Sequence, residues 1–195
     1  MHGENFLNPS HRHVTSTGVP QTKRRVFSFG SGANGALGTS GPPFADAYEP
    51  ELVTDLPPDI VSIAAGHYHS LAITSSGSLW TWGRNTEGQL GPRKATTDTA
   101  VEDWCPRKVD GLEGVEVVGA AASGVVSMAW GADGSLWAMG KSKRGQLGLG
   151  LGVVNSPEPK RVLSLHDRQV TQVLPTRIHR IKQMPFSLPN SSVPY

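Results

Sequence analysis

Cysteine is nearly absent from this sequence of 195 residues, which contains only Cys105. One cysteine cannot form a disulfide within the chain, and its scarcity predicts a reducing, intracellular setting in the cytoplasm or nucleus. Long apolar runs are also missing. The stretch 115–130 is broken by Glu116, Gly119 and Ser123, so it does not approach the roughly 20 apolar residues of a membrane span. Charge of one sign is lacking too, because 18 basic residues face 16 acidic ones. This composition predicts a soluble protein without a membrane segment.

Catalytic and cofactor motifs are equally sparse. Residues 30–35 satisfy G-x-G-x-x-G, but neither the helix pattern nor the acidic residue of a dinucleotide site follows. The Gly-Lys-Ser at 140–142 lacks the first glycine of a phosphate loop, because Ser135 stands at that position. His67 and His69 have no third metal ligand at a suitable spacing. We therefore predict no catalytic residue, no cofactor-binding residue and no metal site.

Glycine, in contrast, is abundant at 23 residues, and much of it lies in an internal repeat. The segment GSLWTWGRNTEGQLG at 77–91 recurs as GSLWAMGKSKRGQLG at 134–148, a spacing of 57 residues. A weaker copy, VFSFGSGANGALG, occupies 26–38. Periods above about 50 residues, with strands and glycines at fixed offsets, are typical of β-propeller blades.

Each of the two stronger copies predicts a β-hairpin. Buried strands are expected over 70–74 and 127–130, and their partners over 78–82 and 135–139. The turns between them read Ser-Ser-Gly and Ala-Asp-Gly. A small polar residue followed by glycine supplies the positive φ that tight hairpin turns require.

Aromatic residues occupy fixed places in these hairpins. Trp80 and Trp82 are two residues apart on one strand, so both face the same side, and Trp137 and Met139 repeat that placement. We expect a set of large apolar residues to be buried between neighbouring sheets: Trp80, Trp82, Trp137, Leu79 and Leu136.

Glycine is needed where the chain turns through positive φ or where two backbones approach closely. The residues between the repeated glycines differ in each copy, as residues at loop tips do when only the turn geometry is shared.

This pattern resembles the regulator of chromosome condensation repeat family, whose unit carries W-x-W-G-x4-G-Q-L-G and, upstream of it, A-A-G-x-x-H-S/T. The first element is nearly complete at 80–91, and it recurs at 137–148 and 27–38. The departures are Met139 for the second aromatic, Phe27 and Phe29 for the two tryptophans, and Ala36 for glutamine.

The second element is carried by Gly66, His69 and Ser70, whereas the later copy has Ser123 and Val126 at the glycine and histidine positions. The resemblance implies that His69 is structural and hydrogen-bonds the neighbouring blade. The structural repeat residues that we assign are Phe27, Phe29, Gly30, Gly35, Gly38, Gly66, His69, Ser70, Trp80, Trp82, Gly83, Gly88, Gln89, Leu90, Gly91, Trp137, Gly140, Gly145, Gln146, Leu147 and Gly148.

The family resemblance implies a seven-bladed propeller, which would need about 350 to 400 residues at this period. We therefore predict an all-β fold, a partial β-propeller of about two and a half four-stranded blades with irregular termini. Residues 169–173 parallel 59–63, but the agreement stops at Leu174. This divergence predicts a truncated or alternatively spliced form, and a diverged natural terminus is the alternative.

The chain divides into three predicted regions. Residues 1–25 are predicted to be a disordered basic leader, with a nuclear-import patch at 23–25 or an organelle transit peptide, and hence a mitochondrial location, as alternatives. Residues 26–173 form the repeats. Residues 174–195 are predicted to be a divergent, disordered tail.

The function predicted from these observations is a non-catalytic scaffold that binds a protein partner through blade loops or exposed blade faces. The alternative is a guanine-nucleotide exchange factor or regulator of a small GTPase, which the family includes. Such a factor wedges loops from several blades against the nucleotide site, a surface that two and a half blades do not provide. The family's ultraviolet photoreceptor motif, G-W-R-H-T, is not matched, because 66–70 lack its tryptophan. The basic loop with Lys141, Lys143 and Arg144 is interpreted as solvated charge, so nucleic-acid binding is not expected.

Overall fold

The structure is a computed structural model that describes residues 24–42, 44–92 and 104–173. Residues 1–23 and 174–195, where disorder is predicted, lie outside the described residues. The described chain is all β apart from two short 3-10 turns, Ala33–Gly35 and Leu163–Leu165. Within the described ranges, no helix is long and apolar enough to span a bilayer.

The strands form three antiparallel sheets, which we number as blades in chain order. Blade 1 contains β1 (Phe27–Gly30) and β2 (Ala47–Leu52). Blade 2 contains β3 (Ile60–Ala65), β4 (His69–Thr74), β5 (Leu79–Gly83) and β6 (Arg107–Lys108). Blade 3 contains β7 (Val117–Ser123), β8 (Val126–Gly131), β9 (Leu136–Lys141) and β10 (Asn155–Arg161). The predicted partial propeller of about two and a half blades is confirmed.

Apolar side chains from adjacent blades form the core. Leu71 and Ile73 of blade 2 pack in one cluster with Val117 and Ala129 of blade 3. A smaller cluster, which contains Val53 and Trp82, joins blades 1 and 2. Because each sheet buries one face against the next, the blades stabilise one another rather than folding independently.

The segment 170–173 docks on blade 3 as β7 docks on blade 2. The amide of Val170 donates to the carbonyl of Gly134 at 3.1 Å, and the amide of Val117 donates to the carbonyl of Gly77 at 3.0 Å. Val170 and Val173 are buried in the blade 3 cluster. These residues therefore occupy the place of the first strand of a further repeat.

Two expectations about aromatic burial need correction. Trp82 is buried with Leu79 and Leu136, whereas Trp80 and Trp137 are only partly buried. Both lie opposite the outermost strand of their sheet, where Trp80 pairs with Lys108 and Trp137 pairs with Arg161. That strand is the last in each sheet, so these two rings keep contact with solvent.

The equivalent aromatic positions of blade 1 are exposed. Phe27 is 53% exposed and Phe29 is 68% exposed, although Phe29 aligns with the buried Trp82. Trp82 is buried because it packs against blade 1. Blade 1 is the first sheet of the described chain, so no described sheet offers Phe29 an equivalent slot.

Candidate functional site

Loops from all three blades meet at one end of the sheets, which we call the loop rim: residues 31–42, 66–68, 84–92, 124–125 and 142–154. The amide of Arg84 donates to the carbonyl of Tyr68 at 2.7 Å, and the amide of Lys141 donates to the carbonyl of Val125 at 3.2 Å. These two equivalent hydrogen bonds join two loops of blade 2 and two loops of blade 3, respectively. They therefore fix where the exposed side chains of the rim stand.

The nine glycines of the first repeat element have positive φ, between +65° and +107°: Gly30, Gly35, Gly38, Gly83, Gly88, Gly91, Gly140, Gly145 and Gly148. The first glycine of each set in blades 2 and 3 also allows close backbone approach. A Cβ at Gly83 would lie 2.5 Å from the Tyr68 carbonyl oxygen, and a Cβ at Gly140 would overlap the Val125 carbonyl oxygen. These two glycines therefore let the rim loops close onto the strand ends.

A hydrogen-bonded slot joins blade 2 to blade 1. The indole Nε1 of Trp82 and the hydroxyl of Ser70 both donate to the carbonyl of Ala36, each at 3.0 Å. Gly38 lies beneath the indole, and a Cβ there would be 2.6 Å from Nε1.

Blade 3 repeats this slot in part. The hydroxyl of Ser127 donates to the carbonyl of Gln89 at 2.7 Å, as Ser70 does to Ala36. Met139 takes the place of Trp82, and a Cβ at Gly91 would lie 3.1 Å from its sulfur. Methionine packs in this slot but has no N–H to donate.

His69 adds a second bond between blades 2 and 3. Its Nε2 lies 2.9 Å from Ser127 Oγ, and its side chain is 1% exposed. Because Ser127 uses its single proton on Gln89, the imidazole must carry its proton on Nε2 and donate. Gly66 lies against the ring where a Cβ would clash. Burial lowers the pKa of His69 to about 4, so this histidine is neutral at pH 7.

We expect the stability of the chain to fall as pH is lowered from about 6.5 to about 4 through His69. In this window the unfolded chain binds a proton at His69 and the folded chain does not. The stabilisation is complete above pH 6.5 and is lost through pH 4, and it amounts to about 3 kcal/mol. Urea unfolding followed by tryptophan fluorescence across this range would measure it.

The variant His69→Asn is the matched control, because asparagine keeps an N–H donor but does not titrate here. Its unfolding free energy should vary less with pH than that of the wild type over the same range. Identical pH profiles for the two proteins would show that His69 is not the titrating group.

The two repeated glutamines fold back onto their own loops. Gln89 Oε1 accepts from the amide of Glu87, and Gln146 Oε1 accepts from the amide of Arg144, each at 3.0 Å. The leucines that follow, Leu90 and Leu147, are fully buried. In each assigned Gln-Leu pair, the glutamine side chain thus fixes the rim loop by a hydrogen bond, and the leucine is buried beneath that loop.

Trp104, which lies outside the repeated tryptophan positions, was not predicted to pack against the repeat. A Cβ at Gly35 would overlap the Trp104 side chain, and a Cβ at Gly88 would lie 2.5 Å from Cα of Pro157. The outer part of each blade therefore covers the middle glycine of the preceding one. The only sign of this contact in the sequence is that two bulky residues, Trp104 and Pro157, precede, at the same offset, the residue of the outermost strand that pairs with the first tryptophan of their blade.

The charged side chains at the rim between blades 2 and 3 are mostly basic: Arg84, Lys141, Lys143 and Arg144 against Glu87. Lys141 Nζ of blade 3 lies 2.6 Å from Glu87 Oε2 of blade 2. The Arg84 guanidinium lies over the Tyr68 ring at 5.7 Å from the ring centroid. Among the described residues, no group of three or more His, Cys, Asp or Glu side chains is placed to hold a metal ion. The chemistry that this rim offers is charge pairing with a partner.

Comparison with known families agrees with this architecture. The regulator of chromosome condensation (RCC1) repeat matches residues 25–73, 76–130 and 133–174, and a second profile of the same repeat matches 60–89. The chain belongs to the regulator of chromosome condensation repeat family. Its relatives include the human probable E3 ubiquitin-protein ligase HERC6, 35% identical over 129 residues, which are 65% of this chain and 12% of the relative. Human protein RCC2 is 40% identical over 95 residues, 49% of this chain and 17% of the relative.

Solved structures share the fold of this chain. Human WBSCR16 has a TM-score of 0.60 and 25% identity, with 72% of this chain and 33% of that chain covered. Prp20p of Saccharomyces cerevisiae, whose crystal structure was described with its binding to Gsp1p and histones, has a TM-score of 0.56 and 28% identity, with 69% and 33% covered. The chain thus spans about a third of the propellers that it matches and less of its sequence relatives.

Proposed function

We propose that this chain is a non-catalytic protein-interaction module, in which the repeat frame is scaffold and the loop rim contacts a protein partner. One observation carries the proposal. Many of the residues that recur in the repeat are used in contacts within or between blades, whereas those that vary, 84–87 and 141–144, lie together at one rim. Variable exposed loops on a rigid frame are where recognition is commonly placed.

The comparisons support a protein partner without identifying it. Prp20p was described with two protein partners, Gsp1p and histones. HERC6, in contrast, bears the name of a ligase, but the matched region is 12% of it. The truncated or alternatively spliced origin and the location in cytoplasm or nucleus stay predictions, as does the mitochondrial alternative. The parent transcript and a tagged chain in cells would test them.

Site-specific photo-crosslinking tests the proposal. A photoreactive residue would be placed at Thr86 on the rim, at Ser31 on the rim of blade 1, and at Ser76 in the turn at the opposite end of blade 2. All three positions are exposed. We expect a protein crosslink from the two rim positions and none from Ser76. Crosslinks from Ser76 alone would place the contact elsewhere and contradict the proposal.

Guanine-nucleotide exchange is the second candidate, favoured by the likeness to Prp20p and its described binding to Gsp1p. Nucleotide release from a panel of small GTPases would distinguish the two candidates. An exchange factor must accelerate release at substoichiometric concentration, whereas an interaction module leaves the rate unchanged. We expect no acceleration.

A further inference from the structure

A cleft of about 400 Å³ opens on the loop rim between blades 2 and 3. We call it the rim cleft, and its lining consists of Glu87, Val125, Lys141, Lys143, Arg144 and Gln146. Apart from Gln146, these residues lie outside the set that the repeat shares. The cleft is thus a feature of this chain rather than of the repeat frame.

The rim cleft holds one carboxylate among several cations. The Lys141 ammonium, hydrogen-bonded to Glu87, holds the pKa of that carboxyl below its usual value, and the charges of Arg84 and Lys143 act in the same direction. Among the described residues, Lys143 and Arg144 have no carboxylate within ion-pair distance. Lys143 and Arg144 are therefore left for a ligand once Glu87 has neutralised Lys141. The Arg84 guanidinium is not part of the lining, but its charge acts on the same carboxyl of Glu87.

The ion pair between Lys141 and Glu87 in the rim cleft costs little free energy to break. The Lys141 side chain is 39% exposed and the Glu87 side chain is 25% exposed. A partly exposed ion pair contributes little to stability, because water screens it and two long side chains lose freedom. An incoming carboxylate could replace Glu87 on Lys141 without disturbing the buried contacts beneath.

We propose that the rim cleft binds an acidic segment of a protein partner, whose carboxylates take the place of Glu87 on Lys141 and pair with Arg84, Lys143 and Arg144. This inference rests on the proposed function and names the chemistry of the partner. Guanidinium groups bind carboxylates through two parallel hydrogen bonds, which gives orientation as well as attraction. A carboxylate ligand also matches the group that already occupies Lys141.

The same observations disfavour a nucleic acid at this site. The aromatic ring that contacts Arg84, Tyr68, is already stacked on His67 at 4.4 Å between centroids and covered by that guanidinium. Stacking of bases on open aromatic faces contributes much of the affinity for single strands. The Tyr68 ring offers no such open face, because His67 and Arg84 pack against it.

The test measures fluorescence anisotropy of a labelled peptide of alternating glutamate and serine with the full chain. Wild type should bind it, and binding should weaken between about 50 mM and about 300 mM salt. A peptide with glutamine for glutamate should not bind. Replacing three rim cations by glutamine, Arg84→Gln with Lys143→Gln and Arg144→Gln, should weaken binding by at least about tenfold.

Two further variants make the result specific. The charge-matched control, Lys108→Gln with Lys160→Gln and Arg161→Gln, removes three cations from the outer strands β6 and β10 and should bind as wild type does. Glu87→Gln should bind about two- to fivefold more tightly, since it frees Lys141. A gain of affinity does not arise from misfolding, so this variant stays informative if the triple rim variant unfolds.

The inference is overturned if wild type does not bind the peptide, if the two triple variants lose affinity equally, or if Glu87→Gln weakens binding. Tighter binding of a poly-thymidine strand of equal charge would overturn it in favour of a nucleic acid. If the peptide does not bind while Thr86 and Ser31 still crosslink to a protein, only the inference about the rim cleft is rejected. The proposed interaction module would then stand.

Discussion

Replacing Trp82 with alanine is expected to lower the free energy of unfolding by about 3 to 5 kcal/mol, a large part of the stability of a chain of this size. The side chain is 3% exposed and lies in the cluster that joins blades 1 and 2. Its removal empties the space above Gly38 and leaves the carbonyl of Ala36 with only the Ser70 hydroxyl. Urea unfolding would measure the loss.

Two variants separate the causes. Trp82→Phe keeps most of the apolar contact but removes the indole donor, so it should cost about 1 kcal/mol through the lost hydrogen bond and an added cost from imperfect packing. Trp80→Ala, on the same strand but only partly buried, should cost less than Trp82→Ala. An unchanged unfolding midpoint for Trp82→Ala would contradict the packing of blade 2 against blade 1.

The repeat made the frame of this fold predictable. Gly83 and Gly140 lie at the same offset in their copies, and the backbone geometry that they share follows from one requirement, a turn that closes onto a strand end. The predicted hairpin strands agree with the structure to within one residue at most ends; for example, β4 begins at His69 rather than Ser70. The repeat predicted these strands because each copy forms the same hairpin and packs it in the same way.

The degree of burial was harder to predict, because it depends on what lies next to each blade. Trp80 and Trp82 look equivalent in the sequence, yet only Trp82 faces a complete slot on the preceding blade. Phe29 occupies the aligned position in blade 1 and is mostly exposed. Neighbours in space decide these differences, and the alignment of copies does not contain them.

The rim cleft could not be predicted from the sequence for a related reason. Lys141, Lys143 and Arg144 were visible as a basic loop, but Glu87 lies in another copy, 54 positions away from Lys141. Only the stacking of blades 2 and 3 brings its carboxylate to the Lys141 ammonium. A site composed of residues that differ between repeats leaves no periodic signal.

Gly83→Ala is expected to destabilise the chain more than Gly30→Ala, although the two glycines have nearly the same φ, +102° and +105°. Alanine at such a φ costs about 1 to 3 kcal/mol in either place through backbone strain. At Gly83 the new Cβ would also lie 2.5 Å from the Tyr68 carbonyl oxygen and 2.9 Å from Cα of His69. At Gly30 no described atom lies within 4 Å.

Because both variants carry the same strain, the difference between them isolates the close approach of the rim loop to the end of β5. Overpacking of this kind typically adds about 1 to 3 kcal/mol, and the backbone at Tyr68 cannot move away without breaking its hydrogen bond from the amide of Arg84. Urea unfolding of the two variants, with Gly140→Ala as a repeat of the first, gives the comparison. Gly140→Ala should behave like Gly83→Ala, since its Cβ would overlap the Val125 carbonyl oxygen. Equal losses for Gly30→Ala and Gly83→Ala would mean that positive φ alone selects these glycines, and that the rim loops are not held against the strand ends.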